Sequence, residues 1–401
     1  MLTSLAYIFL LGMGLGSIFK KLRLPSLLGY LISGIILGPY SLNVLDSSIL
    51  SISPDLRQLA LIIILTRAGL ALDLGDLKKV GRPAVLMCFL PACFEIAGML
   101  LLAPPLLGIS LMDAAIMGAV VAAVSPAVVV PKMLQLMETG YGTNMSIPQL
   151  IMAGASVDDV FVIVMFTAFT GLAKGDGISL ISFTQIPVSI ITGLSAGIFL
   201  GILLSWFFKR VHIRDSAKVI ILLSISFLLV AAEHELEGIF PFSGLLAVMA
   251  AGAAIQKQRQ IVALRLSAKF SKLWVAAEVL LFVLVGATVD IQYALASGGA
   301  AILLIFAVML FRMAGVFTCM LKTKLNIKER LFCMVAYSPK ATVQAAIGSL
   351  PLAMGLPCGK AVLTVAVLSI LITAPLGAFG IDLLYKRLLF NASKESSSKA
   401  A

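Results

Sequence analysis

The chain has 401 residues; 60% are hydrophobic, only 12% are charged, and the formal net charge is +11 at a mean hydropathy of +1.09. A soluble protein carries about twice that share of charge, so a water-soluble globular enzyme is excluded and a polytopic membrane protein, one integral domain over residues 1–390, is expected. The basic excess reflects where Lys and Arg stand between apolar runs, so it is not read as a nucleic-acid signal.

A membrane-crossing helix needs roughly 20 apolar residues. Thirteen stretches qualify: about 3–19, 26–44, 56–72, 83–107, 112–131, 148–172, 179–208, 217–232, 240–255, 268–289, 297–321, 331–351 and 360–384, called spans 1 to 13. Span 1 lacks a basic start, and Lys20-Lys21 follow it where a cleavage site would need small residues, so it is expected to be retained. Span 3 carries Arg67 and ends in Gly69-Leu-Ala-Leu-Asp73; span 4 carries Glu95. Span 5 contains Ala123-Val-Ser-Pro-Ala-Val-Val-Val130. Span 6 contains Ile151-Met-Ala-Gly-Ala-Ser-Val-Asp-Asp-Val-Phe-Val-Ile-Val-Met-Phe166, with Asp158 and Asp159 adjacent in an otherwise apolar run. Span 7, about 179–208, is free of deep charge and reads as a linker. Span 10 carries Glu278 and ends in Gly286-Ala-Thr-Val-Asp290, span 11 carries Arg312, and span 12 contains Ala336-Tyr-Ser-Pro-Lys-Ala-Thr-Val343. After span 13, residues 391–401 read as a short cytoplasmic tail, with no regulatory domain expected.

Twenty-four of the 30 Lys and Arg fall on one side of these spans, three (Arg57, Lys174, Lys360) on the other, and three (Arg67, Arg312, Lys340) within them. That bias places the N-terminus outside and the C-terminus in the cytoplasm of a cell membrane. The five cysteines lie in or beside apolar runs without metal-type spacing and read as small apolar filler. His212 and His234 fall in or beside loops, and no cofactor is expected.

Spans 5 and 12 share a Ser-Pro motif whose serines, Ser125 and Ser338, are 213 residues apart. The Gly…Asp ends of spans 3 and 10 repeat at an offset of 217. Both pairs are seven spans apart, and an odd shift inverts orientation, so the pattern implies an inverted repeat of spans 1–6 and 8–13, typical of secondary transporters. Pro126 and Pro339 remove backbone hydrogen bonds in mid-span, which implies two broken helices crossing near the midplane with the freed groups lining a cavity. Inert proline kinks are the plainer alternative; Lys340 beside one break argues against it.

Ionisable groups inside a span are functional suspects. Arg67 and Glu278 lie near span ends, where snorkelling or pairing at the interface accounts for them. Glu95, Asp158, Asp159, Arg312 and Lys340 form the deeper set: three acids and two bases. Pairing leaves one carboxylate over. That group holds either a proton or a cation, not both, which is the minimal machinery of one-for-one, electroneutral exchange. Neighbouring residues on a helix point about 100° apart, so one aspartate is expected to bind a base and the other to line the ion path. Ser156, one turn before Asp159, is a candidate oxygen donor, as are backbone carbonyls near Ser125 and Ser338, because hard cations take oxygen ligands.

Ala155-Ser-Val-Asp-Asp159, Thr66-Arg-Ala-Gly-Leu-Ala-Leu-Asp73, Ala123-Val-Ser-Pro-Ala-Val-Val-Val-Pro131 and Ser338-Pro-Lys-Ala-Thr-Val-Gln-Ala-Ala-Ile-Gly348 together resemble the cation:proton antiporter superfamily, in particular its NHA clade, over nearly the whole chain. The resemblance implies an all-α, NhaA/NapA-like antiporter fold and a homodimer with a dimerisation domain and a mobile six-helix core that moves like an elevator. It implies Asp159 as the acid that binds Na⁺ or Li⁺ and carries the proton, with Asp158 as its base-paired neighbour. It also implies charge-compensating roles for Lys340 at the span 12 break, for Arg312 where electrogenic relatives carry lysine, and for Glu95 as the partner of Arg312. Paired acids accompany electrogenic exchange in the superfamily, whereas arginine does not readily give up its proton; the charge sum favours electroneutral exchange. The alternatives are an electrogenic Na⁺/H⁺ or K⁺/H⁺ antiporter and a sodium-coupled organic anion symporter, which does not call for a deep acid pair. A channel would show a filter sequence, and a membrane enzyme would show a nucleophile–base or metal-ligand set near the acids.

Overall fold

The computed structural model describes residues 1–22, 24–72, 81–174, 180–211, 213–236 and 240–391; the side chains of 156, 174, 180–187, 190, 234 and 293–297 lie outside that description. Asp73, His212 and the tail 392–401 fall outside it too, as do Arg23, Lys78 and Lys79 of the basic side. The protein is an all-helical membrane protein. Among the described residues nine helices are long and apolar enough to cross a membrane, with Arg82–Leu107 and Leu111–Glu138 each counted as one; Ser26–Leu37 and Thr342–Ala353 are shorter apolar helices.

The chain divides into two compact units, Met1–Leu50, Gly75–Val162 and Phe282–Ala401 forming the first, and Ser51–Leu74 and Ile163–Leu281 the second. The second unit is organised around span 9, Gly244–Gln258, which is buried on nearly every face. Such a helix belongs in the middle of a bundle. Three glycines one turn apart on span 7, Gly193, Gly197 and Gly201, lie against the carbonyls of Ser243, Ala247 and Ala251 on span 9, so close that a Cβ at any of them would collide. Small residues at this spacing let membrane helices approach backbone to backbone. Thr192 Oγ1 fastens the same pair by donating to the Pro241 carbonyl at 2.7 Å. On the other side of span 9, Gly252 lies against Gly69 and Leu70 of the helix Ser53–Ala71. Arg57, counted on the outer side at the start of span 3, is a buried residue of that helix, 5% exposed: the helix begins three residues earlier than the apolar run, at a proline-containing first turn.

The first unit holds spans 1, 2, 4, 5, 11, 12 and 13, with the start of span 6 to Val162 and the end of span 10 from Phe282. Gly34 of Ser26–Leu37 abuts the Val283 carbonyl, and Gly286 abuts the Leu31 carbonyl. In span 4 the chain breaks once between Arg82–Met87 and Leu90–Leu107, at Cys88-Phe89. Pro91 is the cause: it suits the first turn of a new helix, not the interior of an old one, and Phe89 turns to φ −146°, ψ −34°. Span 4 then packs closely on span 11 (Ile291–Cys319), Gly98 meeting the Phe311 side chain and Gly315 meeting Pro91.

Candidate functional site

Two interrupted spans form the centre of the first unit. In span 5, Leu111–Val121 ends and Pro126–Glu138 begins after four intervening residues. Proline pushes the residue before it out of the α region, and Ser125 stands at φ −92°, ψ 110°. In span 12, Ile327–Ala336 ends and Thr342–Ile347 begins, with Pro339 and Lys340 between and Ala341 at φ −164°, ψ −76°. Ser125 and Pro126, Ser338 and Pro339 thus stand at the two breaks, and the breaks touch: the Ser125 N–H donates to the Pro339 carbonyl at 2.8 Å.

Arg312 joins the charged residues to both breaks. Its Nη1 donates to Glu95 Oε2 at 3.0 Å and to the Ala122 carbonyl; its Nη2 donates to Asp158 Oδ2 at 3.0 Å; its Nε donates to the Tyr337 carbonyl at 2.7 Å. A planar guanidinium with fixed donors suits this work in a way a lysine ammonium does not. The guanidinium carbon also lies 5.0 Å from the centre of the Tyr337 ring, a cation–π contact strengthened by the absence of water. Lys340 Nζ donates to Glu95 Oε2 at 2.5 Å. Asp158 Oδ2 accepts a further bond from the Val124 N–H at 2.7 Å. Glu95, Asp158, Arg312 and Lys340 are at most 1% exposed, so each charge is held by its partners rather than by solvent.

Asp159 stands apart from that set. It is buried, 8% exposed, and its Oδ1 has no hydrogen-bond partner among the described residues. As adjacent helical positions, Asp159 and Asp158 are offset by about 100° around the helix. Ser156 lies in the same helix, Ile147–Lys174, with its side chain outside the described residues. Arg67 and Glu278 are in the second unit, half-buried, and within electrostatic reach of each other. All five cysteines are free.

Three further residues hold the breaks and carry no charge. Gln344 Nε2 donates to the Val121 carbonyl at 3.0 Å and to the Ala123 carbonyl at 2.9 Å. Tyr337 donates its hydroxyl to the Met87 carbonyl, 2.9 Å away at the span 4 break. Thr373 Oγ1 accepts the Lys340 N–H at 2.9 Å and donates to the Ser369 carbonyl at 2.7 Å. The signal for Gln344 was present: an uncharged polar residue one turn after Lys340, in an apolar run. The carbonyls of 121, 122, 123, 337 and 339 each accept a hydrogen bond, from Gln344, Arg312 or the Ser125 N–H. Buried backbone groups need partners, and here Gln344 of span 12, Arg312 of span 11 and the Ser125 N–H supply them.

The family model for the sodium/hydrogen exchanger, transmembrane, matches residues 5–387. Sodium/hydrogen exchanger 9B2 of Mus musculus is 35% identical over 386 residues, covering 91% of this chain and 69% of the mouse protein. Sodium/hydrogen exchanger 9B1 of Homo sapiens is 31% identical over 350 residues, covering 84% of this chain and 67% of the human one. Among solved structures, the sodium proton antiporter MjNhaP1 of Methanocaldococcus jannaschii at pH 8 has the same fold, with a TM-score of 0.84 over 96% of this chain and 98% of its own, at 21% identity.

Proposed function

The chain belongs to the sodium/hydrogen exchanger family, and from that premise we propose that it exchanges Na⁺ or Li⁺ for a proton across a cell membrane, one for one and without net charge movement. One observation carries this reading. Of three deep acids, Glu95 and Asp158 are paired with Arg312 and Lys340, and Asp159 is left buried with no ion pair among the described residues. A carboxylate in that setting must be neutralised by whatever it binds. A proton and a monovalent cation do this equally, so the two loaded states carry the same charge. Asp159 is the ion-binding and proton-carrying residue; Asp158 is its structural neighbour; Glu95, Arg312 and Lys340 keep the surrounding charge balanced.

The rest of the proposal concerns how the site alternates. We place thirteen spans around an inverted repeat, with the N-terminus outside and the C-terminus in the cytoplasm, in a homodimer whose ion-carrying part moves as an elevator. Its support is that every charged member of the cluster lies within one compact unit. A second reading, electrogenic exchange, has its own support. Lys340 is a buried amine that shares one Glu95 oxygen with Arg312, and an amine that released its proton in each cycle would add a charge to the stoichiometry.

Purified protein in liposomes tests the exchange itself. An imposed Na⁺ gradient is expected to move internal pH with no organic substrate present, and Asp159→Asn to abolish the response while the protein melts at its usual temperature. No pH response to Na⁺, Li⁺ or K⁺ contradicts the reading; full turnover in Asp159→Asn removes Asp159 from it.

A further inference from the structure

Gln344 has a feature that its structural bonds leave unused. Its side chain is fully buried, at 0% exposure. Both amide protons are spent on the Val121 and Ala123 carbonyls. This settles the orientation of the amide, because the flipped form would set its oxygen against two carbonyl oxygens. Oε1 therefore points away from the span 5 backbone, and it has no hydrogen-bond partner among the described residues. The same holds for Glu95 Oε1, Asp158 Oδ1 and Asp159 Oδ1, and for the hydroxyl of Ser125. Three of these residues meet one short stretch of chain: Gln344 holds residue 123, Asp158 holds the N–H of residue 124, and Ser125 comes next. Buried oxygens with an unused acceptor site are the chemistry that ligates a hard cation. A merely structural glutamine would be expected to satisfy both ends of its amide.

We propose that Gln344 is a specificity-determining residue of the exchange, its Oε1 serving as a neutral oxygen ligand to the partly dehydrated monovalent cation. The proposal rests on the exchange reading above and adds to it a ligand on the second broken span. A neutral ligand has a distinct use here: it adds coordination without adding charge, so it tunes the choice among Li⁺, Na⁺ and K⁺ and leaves the one-for-one balance intact. The span 5 carbonyls, already held by donors, are less available for that purpose.

The test compares Gln344→Met with Gln344→Glu in proteoliposomes, reading cation KM, turnover and the Li⁺/Na⁺/K⁺ ratio against wild type. Both variants lose the neutral amide that bonds the two carbonyls; only the glutamate keeps an oxygen at that point. A ligand role predicts that they diverge. Met should raise the KM for Na⁺ and Li⁺ about tenfold or more and flatten the selectivity, since a thioether is a poor ligand for hard cations. Glu should keep cation binding, with an altered Li⁺/Na⁺ ratio and a new pH dependence. Equal losses in both variants with an unchanged selectivity ratio would reduce Gln344 to a backbone clamp, and a wild-type KM in the Met variant would overturn the proposal outright. Should either variant fail to fold, Gln344→Asn, which keeps the amide but draws the oxygen back by one methylene, must raise cation KM more than it lowers turnover; an unchanged KM there also overturns it. Silence of wild type itself would sink the exchange reading instead, so the two failures are distinguishable.

Discussion

At the scale of single residues, the cluster shows how five costly charges coexist in an apolar interior. Glu95 Oε2 accepts from both Arg312 and Lys340, so its removal strips a partner from two cations at once. Breaking a buried pair on one side leaves an uncompensated charge and costs about 3–5 kcal/mol. Glu95→Gln should therefore lower thermal stability sharply in detergent, whereas Asp159→Asn, which removes no cation's partner, should not; melting curves of the two variants beside wild type decide it, and equal melting points would contradict the pairing. If one carboxylate binds either ion, protons compete with cations directly. The apparent cation KM should then rise by about tenfold per pH unit on the acid side, since the ligand must be deprotonated to bind; transport at stepped pH checks this, and a KM that does not move with pH argues for separate sites. The five charged residues were legible in the sequence because charge in an apolar run is conspicuous. Tyr337 and Thr373 were not, and Gln344 only as a polar residue one turn after Lys340: what an uncharged polar residue does is hidden until the carbonyls and N–H groups it serves are known.

At the scale of elements, the breaks in spans 5 and 12 were legible from Ser125-Pro126 and Ser338-Pro339, because proline's effect is local. The break in span 4 was passed over, although Pro91 carries the same signal, because its consequence depends on Tyr337 arriving from a distant span to take the Met87 carbonyl. Glycine contacts extend the internal repeat that the sequence suggested. Gly34 meets the end of span 10 and Gly286 meets span 2; Gly252 meets the end of span 3 and Gly69 meets span 9. Gly252 follows Gly34 by 218 positions, one more than the 217 that separates Gly69 from Gly286 and the two Gly…Asp ends. The same kind of close helix approach occurs at both places, which is the support these contacts lend to the proposed inverted repeat. The small residues at these contacts also give a graded prediction. A Cβ at Gly197 would drive into the Ala247 carbonyl, whereas one at Gly14 meets nothing within 4 Å. Overpacking a tight contact costs about 1–3 kcal/mol, so Gly197→Ala should lower the melting temperature and Gly14→Ala should leave it unchanged or slightly raised; the reverse order would refute the backbone-to-backbone packing of spans 7 and 9.

At the scale of the whole molecule, composition alone identified a membrane protein, and the spacing of apolar runs placed most helices to within a few residues. What composition could not supply was closure of the charge balance. Three acids and two bases are a statement about sequence; which acid is left over is a statement about geometry, and it is Asp159, which has no ion pair or side-chain hydrogen bond among the described residues, while Asp158 is bonded to Arg312 and the Val124 N–H and Glu95 to Arg312 and Lys340. On the proposed reading, the stoichiometry follows from that remainder. With only one group loaded in each direction, membrane potential does no work on the cycle, whereas a second titrating group such as Lys340 would couple it to voltage at about 2.3 kcal/mol per charge per 100 mV. The most direct measurement is the reversal point of exchange in proteoliposomes, with Na⁺ and pH gradients opposed and the potential clamped at several values. Reversal at equal Na⁺ and H⁺ ratios whatever the voltage is the predicted result; a reversal point that shifts with voltage would contradict a single exchangeable carboxylate.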